Sequence, residues 1–167
     1  MNQNLKKLTL TAIFAAIAVV GSTFSFPVFG AKCAPVQHMI NIFCAILLGP
    51  WYGVGSAFIA SFIRNMLGLG SLFAFPGSMC GALLAGLLYK YTNQRFSAYA
   101  GEIVGTALIG GMLSYPVATL LMGNPNATLF MMVIPFLIST AGGTIFAIII
   151  VEAIAKAGLL SQMKALI

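Results

Sequence analysis

The chain has 167 residues, 60% of them hydrophobic and only 6% charged, with a mean hydropathy of +1.05 and a formal net charge of +6. Soluble domains carry roughly a quarter charged residues, so a packed core covered by a water-facing surface is excluded. The longest uncharged runs, residues 8–31, 33–63, 65–89 and 103–151, lack polar faces at helical period. A membrane span needs about 20 mainly apolar residues, so the last run is long enough for two helices.

The first span is expected at residues 8–26. Lys6 and Lys7 ahead of it resemble the start of a signal peptide, but the apolar stretch exceeds the usual h-region of about 7–15 residues and no good cleavage sequence follows. Pro27 disfavours continued helix, and residues 28–35 read as an external loop. Span two, residues 36–48, stops at Gly49-Pro50. Its 13 residues give only about 20 Å of helix, so this part of the bundle should leave a depression at one face. Spans three to six follow at residues 51–67, 72–89, 99–122 and 129–155. Gly123-Asn124-Pro125-Asn126 makes a turn before the last. The expected fold class is all-α, a six-transmembrane-helix bundle in one integral domain covering residues 1–167.

Orientation follows from lysine and arginine, which are retained on the cytoplasmic side. With six spans, Lys6, Lys7, Lys90, Arg95, Lys156 and Lys164 fall on one side, and only Lys32 and Arg64 on the other. Both termini are therefore expected in the cytoplasm of a cell-membrane protein. The positive charge is a topology signal and needs no nucleic acid. Cys33, Cys44 and Cys80 are scattered, without a C-x-x-C pattern, and read as small hydrophobes.

Ionisable groups within spans are functional hypotheses by default. Glu102 and Glu152 fall near the cytoplasmic ends of spans five and six and read as interfacial anchors or ion pairs, Glu102 near Arg95 and Glu152 four residues before Lys156. The outer half gathers other polar groups. His38 and Asn41 share a face of span two, beside Gln37. Arg64 and Asn65 end span three, Tyr115 lies well out along span five, and Asn124 and Asn126 sit in the turn after it. Each has a bland alternative, as a helix-terminal group, a snorkelling side chain or a turn former. Together they point to an outward-facing polar pocket. Small-xxx-small faces occur at Ala12/Ala16, Gly77/Gly81/Ala85 and Gly101/Gly105, where helices can approach closely.

Catalysis and cofactor chemistry find no support. There is no H-E-x-x-H, no nucleophile with a spaced histidine and acid, no metal-ligand cluster and no Walker A sequence. A noncatalytic binding subunit that depends on partners fits, with a small-solute channel or a scaffold subunit as rivals.

Three segments carry a family resemblance: GAKCAPVQHMINIFCAILLGPWYG at residues 30–53, ASFIRNMLG at 60–68 and FPGSMCGA at 75–82. They resemble the substrate-binding S components of energy-coupling factor (ECF) transporters, and more narrowly the ThiW type, associated with the thiazole precursor of thiamine. The resemblance implies a bundle of the S-component type that captures hydroxyethylthiazole, or another vitamin or precursor, from outside. It also implies docking on a transmembrane T subunit driven by two separate ATPase subunits. By the same resemblance, Ala12 and Ala16 would face the T subunit and the loop at about residues 27–35 would act as a lid. Tyr115, Asn124, Asn126 and Ser78 would line the pocket, and His38, Asn41, Arg64 and Asn65 would line it or brace the lid. A neutral thiazole alcohol needs an apolar slot with a few hydrogen bonds, with Phe75, Tyr115 and Phe130 as candidate ring contacts. Arg64 would suit a phosphorylated form.

Overall fold

The computed structural model describes residues 2–28 and 31–167; Phe29 and Gly30, within the expected lid, lie outside the described residues. The chain is nearly all-α. Among the described residues there are seven helices: α1 (Gln3–Gly21), α2 (Pro35–Leu47), α3 (Pro50–Met66), α4 (Ala74–Thr92), α5 (Arg95–Leu121), α6 (Val133–Lys156) and α7 (Leu159–Leu166). Proline at the first position starts both α2 and α3, where its missing N–H costs no hydrogen bond.

Two elements go beyond the expected pattern. Strands β1 (Phe26–Val28) and β2 (Ala31–Cys33) pair antiparallel between α1 and α2, so the expected loop is a short hairpin. Helix α7 follows the last expected span. Three helices are long and apolar enough to cross a bilayer by length and composition: Gln3–Phe24 (α1 with its closing turn), Arg95–Leu121 and Val133–Lys156.

Helix α2 is the hub, packed against α1, α3, α4, α5 and α6. Ile40, Ile42, Cys44 and Ile46 are buried around its circumference. A helix enclosed on all sides has no need of a polar stripe, which is why this short segment is almost wholly apolar past Asn41. Its early end leaves a depression lined by Leu48, Pro50, Tyr52, Tyr89 and Lys90.

Helices α4 and α5 meet along a seam of small residues. A Cβ on Gly101 would strike the α4 backbone at Ala85 (2.7 Å), one on Gly105 at the Cys80 carbonyl and Gly81 (2.6 and 2.9 Å), and one on Gly110 at Gly77 (2.6 Å). Antiparallel small faces of this kind bring backbones together. The spacing along α4 is four residues at each step, whereas along α5 it is four and then five. The extra residue falls in a π-helical turn at Gly105–Gly110, whose wider register keeps Gly110 on the seam.

The two ends of the bundle differ in chemistry. At one end the termini meet: Lys6 Nζ donates to the Leu166 carbonyl at 2.7 Å and Lys164 bonds the Tyr89 hydroxyl. Here the interior is filled by Phe43, Ile46, Leu47, Tyr99 and Val151. Helix α1 runs from this end to the hairpin, so the hairpin, the α3–α4 turn and the α5–α6 turn share the opposite end. The buried polar side chains begin there.

Candidate functional site

The site is built outward from one carboxylate. Glu102 is completely buried, and its Oε1 accepts from His38 Nδ1 at 2.8 Å, Asn41 Nδ2 at 2.9 Å and Thr106 Oγ1 at 3.1 Å. With the carboxylate ionised, the His38 ring carries its proton on Nδ1 and donates. The second oxygen, Oε2, has no partner among the described residues. Gly81 makes the space: a Cβ there would meet both Glu102 oxygens at 2.8 Å and collide with the Thr106 hydroxyl.

This position corrects the expectation that Glu102 is an interfacial group near Arg95. Helix α5 begins at Arg95, so Glu102 lies two turns inside it, facing α2. Arg95 instead grips Glu152 with both fork nitrogens, Nε at 2.7 Å and Nη2 at 2.8 Å, and Tyr99 donates to the same carboxylate at 3.1 Å. The planar guanidinium matches a carboxylate bidentately, which Lys156, the partner expected from sequence, cannot do.

A second layer of amides joins Glu102 to a buried cation. Gln37 Nε2 donates to Ser78 Oγ at 3.0 Å and to Asn41 Oδ1 at 3.3 Å, and Asn41 Nδ2 also reaches the Ser78 carbonyl at 3.1 Å. Gln37 Oε1 accepts from Arg64 Nη1 at 3.4 Å. Arg64 is only 3% exposed, and its Nε has no partner among the described residues.

Arg64 is held by the end of its own helix. The Arg64 carbonyl accepts from the Leu69 and Gly70 amides at 2.8 and 3.0 Å, with Gly68 at φ +71° in the left-handed position that closes a helix. Asn65 Nδ2 ties the same turn together, donating to the Ser61 carbonyl at 2.8 Å and the Ser71 carbonyl at 3.0 Å. Lys32 of the hairpin clasps it from outside, with Nζ 2.7 Å from the Gly68 carbonyl.

Above this layer is a cavity of about 30 Å³, room for about two waters. Lys32 and Ala34 border it from the hairpin side and Ser71 and Ala74 from the α3–α4 turn. Arg64, Gln37, His38 and Ser78 form its floor and near wall, and Phe136 and Ser139 of α6 its far wall. The hairpin is pinned to that far wall: the Ala34 amide donates to Ser139 Oγ at 2.9 Å and Cys33 Sγ to the Pro135 carbonyl at 3.3 Å. Burial pushes the Cys33 thiol above its ordinary range, with the Ser139 hydroxyl opposing it.

The expected site residues thus divide. His38, Arg64 and Ser78 line the cavity, Asn41 lies behind them in contact with Glu102, and Asn65 braces the turn beside it. Tyr115 is 38% exposed and Asn124 and Asn126 are exposed in the α5–α6 turn, at the same end of the bundle but off the cavity. The cavity's aromatic ring is Phe136, while Phe75 packs on Phe58 and Phe130 faces outward. Sequence reasoning missed Glu102, Thr106, Phe136 and Ser139. Glu102 carried the one available signal, an acid in an apolar segment. Ala12 and Ala16 are both exposed on α1. Among the described residues no cluster of three or more His, Cys, Asp or Glu side chains is placed to hold a metal ion.

Composition, long apolar helices and a sequestered polar centre define an α-helical membrane protein. The chain belongs to the ThiW family of thiamine-precursor transporter proteins, whose sequence model matches residues 8–157. It is therefore a membrane transport protein whose cargo is a small molecule. It is also similar to the Sensor histidine kinase YpdA of Escherichia coli (strain K12), 30% identical over 106 residues. Those residues are 64% of this chain and 18% of that protein, so the chain matches under a fifth of the relative's length.

Proposed function

We propose that this chain is the substrate-binding S component of an ECF-type importer, capturing hydroxyethylthiazole from outside for ATP-driven uptake. It would cross the membrane six times with both termini in the cytoplasm, an orientation that the distribution of basic residues supports. The hairpin end would then face outward. Ligand would enter beneath the hairpin and bind among His38, Arg64, Ser78 and Phe136, with Asn41 and Asn65 holding the floor and rim. Tyr115, Asn124 and Asn126 would form the outer surface near the mouth. Separate ATPase subunits would supply energy through a T subunit docked on the exposed Ala12/Ala16 face of α1.

One observation carries this reading: the polar cavity is confined to the hairpin end, and beneath Glu102 the bundle is closed by Phe43, Ile46, Leu47 and Val151. A channel needs a continuous path, whereas a binding subunit needs a pocket closed on one side. The cavity is smaller than a thiazole ring, so the hairpin would have to lift for ligand to enter. Uptake of labelled hydroxyethylthiazole tests the division of labour. Cells expressing the chain with a T subunit and its ATPases should accumulate label, and cells expressing the chain alone should only bind it. Accumulation by the chain alone would favour a facilitator instead.

A further inference from the structure

The chain contains two acidic residues in all, Glu102 and Glu152. Both are engaged, Glu102 with His38 at 2.8 Å and Glu152 with Arg95 at 2.7 Å. Arg64 is therefore a buried cation with no carboxylate within ion-pairing distance among the described residues. Two amide side chains, Gln37 and Asn41, link it to Glu102 by hydrogen bonds. Burying a charge without a partner is costly, and Arg64 Nε is a buried donor with nothing to bond. That side chain borders the cavity, as does Lys32, whose ammonium donates to the Gly68 carbonyl. The Ser139 hydroxyl on the opposite wall accepts from the Ala34 amide, and its O–H is a rotatable donor.

The geometry points to an anion subsite: Arg64, with Lys32 and Ser139, holds an oxyanion, so that the preferred cargo is a thiamine precursor bearing a phosphate group rather than the neutral alcohol. This rests on the reading above that the cavity is the precursor site. A guanidinium fork suits the bidentate geometry of phosphate oxygens. The anion could arrive as part of the cargo or as free phosphate bound beside it, and the two sources are separable.

The purified full chain in nanodiscs would be titrated with hydroxyethylthiazole, with its phosphate ester, and with hydroxyethylthiazole in the presence of inorganic phosphate. The same titrations would be run on Arg64→Gln and Arg64→Lys. The expected result is at least about tenfold tighter binding of the ester, lost in Arg64→Gln and partly kept in Arg64→Lys. Tightening of the alcohol by inorganic phosphate, also lost in Arg64→Gln, would support the subsite with a free anion as its occupant. Equal binding of alcohol and ester with no effect of phosphate would overturn the subsite and leave the cavity reading intact, a comparison needing only the wild-type chain. An ester preference that survives in Arg64→Gln would also overturn it. No binding of either ligand would overturn both this inference and the proposed function.

Discussion

His38 and Glu102, 64 residues apart in sequence, meet at 2.8 Å in the interior of the bundle. The pair fixes α2 against α5, and Asn41 and Thr106 complete the same oxygen's hydrogen bonds. It forms the inner limit of the polar region, with apolar packing below and the cavity above.

Removing the Glu102 carboxylate would leave the buried His38, Asn41 and Thr106 donors without their acceptor, and each buried donor left unsatisfied costs about 1–3 kcal/mol. Exposed pairs contribute about 0–1 kcal/mol, and Arg95–Glu152 is 41% and 34% exposed. Glu102→Ala should therefore lower the unfolding temperature in detergent strongly and Glu152→Ala weakly. A reversed order in thermal-shift measurements would contradict the burial of Glu102.

Gly81 gives a steric test of the same centre. Gly81→Ala would press a methyl group on Glu102 and Thr106, and overpacking of this kind costs about 1–3 kcal/mol. Nothing lies within 4 Å of a Cβ on Gly55, so Gly55→Ala should be neutral or slightly stabilising. Equal effects of the two substitutions on thermal stability would argue against the tight α4–α5 seam.

Cys33 reports on the hairpin. The thiolate is the reactive form, and burial raises the thiol's pKa, so less thiolate is present at neutral pH than in a free cysteine. In a variant carrying Cys44→Ala and Cys80→Ala, maleimide labelling of Cys33 should be slow and keep rising with pH beyond the ordinary thiol range. Lys32→Ala removes the clasp on Gly68 and should speed labelling several-fold. Fast labelling before that substitution, with no change after it, would show that the hairpin is not held down.

Docking on α1 separates from binding in the proposed assembly. Ala12→Trp and Ala16→Trp should leave ligand affinity unchanged and reduce uptake in cells carrying the T subunit and ATPases. Loss of affinity together with uptake would mean that the substitutions disturb the bundle and not a partner surface.

Much of the fold was legible because proline and glycine punctuate it: Gly49-Pro50 separates α2 from α3, and Gly123-Asn124-Pro125 lies between α5 and α6. His38 and Asn41 were legible as neighbours because helical periodicity places them on one face. Glu102 was not. Its depth depends on where α5 begins, and a start at Arg95 rather than residue 99 adds a turn of helix before it. Gly110 escaped the small-residue pattern for a related reason: the π-turn inserts a five-residue step that a four-residue template skips. The hairpin's attachment to Ser139 and Pro135 joins residues more than 100 positions apart, which no local pattern encodes.

The central claim is that the cavity under the hairpin binds the precursor, and calorimetry of the purified chain tests it most directly. Hydroxyethylthiazole would be titrated into wild type, Ser71→Trp and Asn124→Ala. Ser71 is a loop residue at the cavity rim, so an indole there blocks the cavity without replacing a helical residue, while Asn124 lies outside it. Binding by the wild type and Asn124→Ala, lost in Ser71→Trp, is the predicted result. Undiminished binding by Ser71→Trp would contradict the account, because the ligand would then be held somewhere else on the protein.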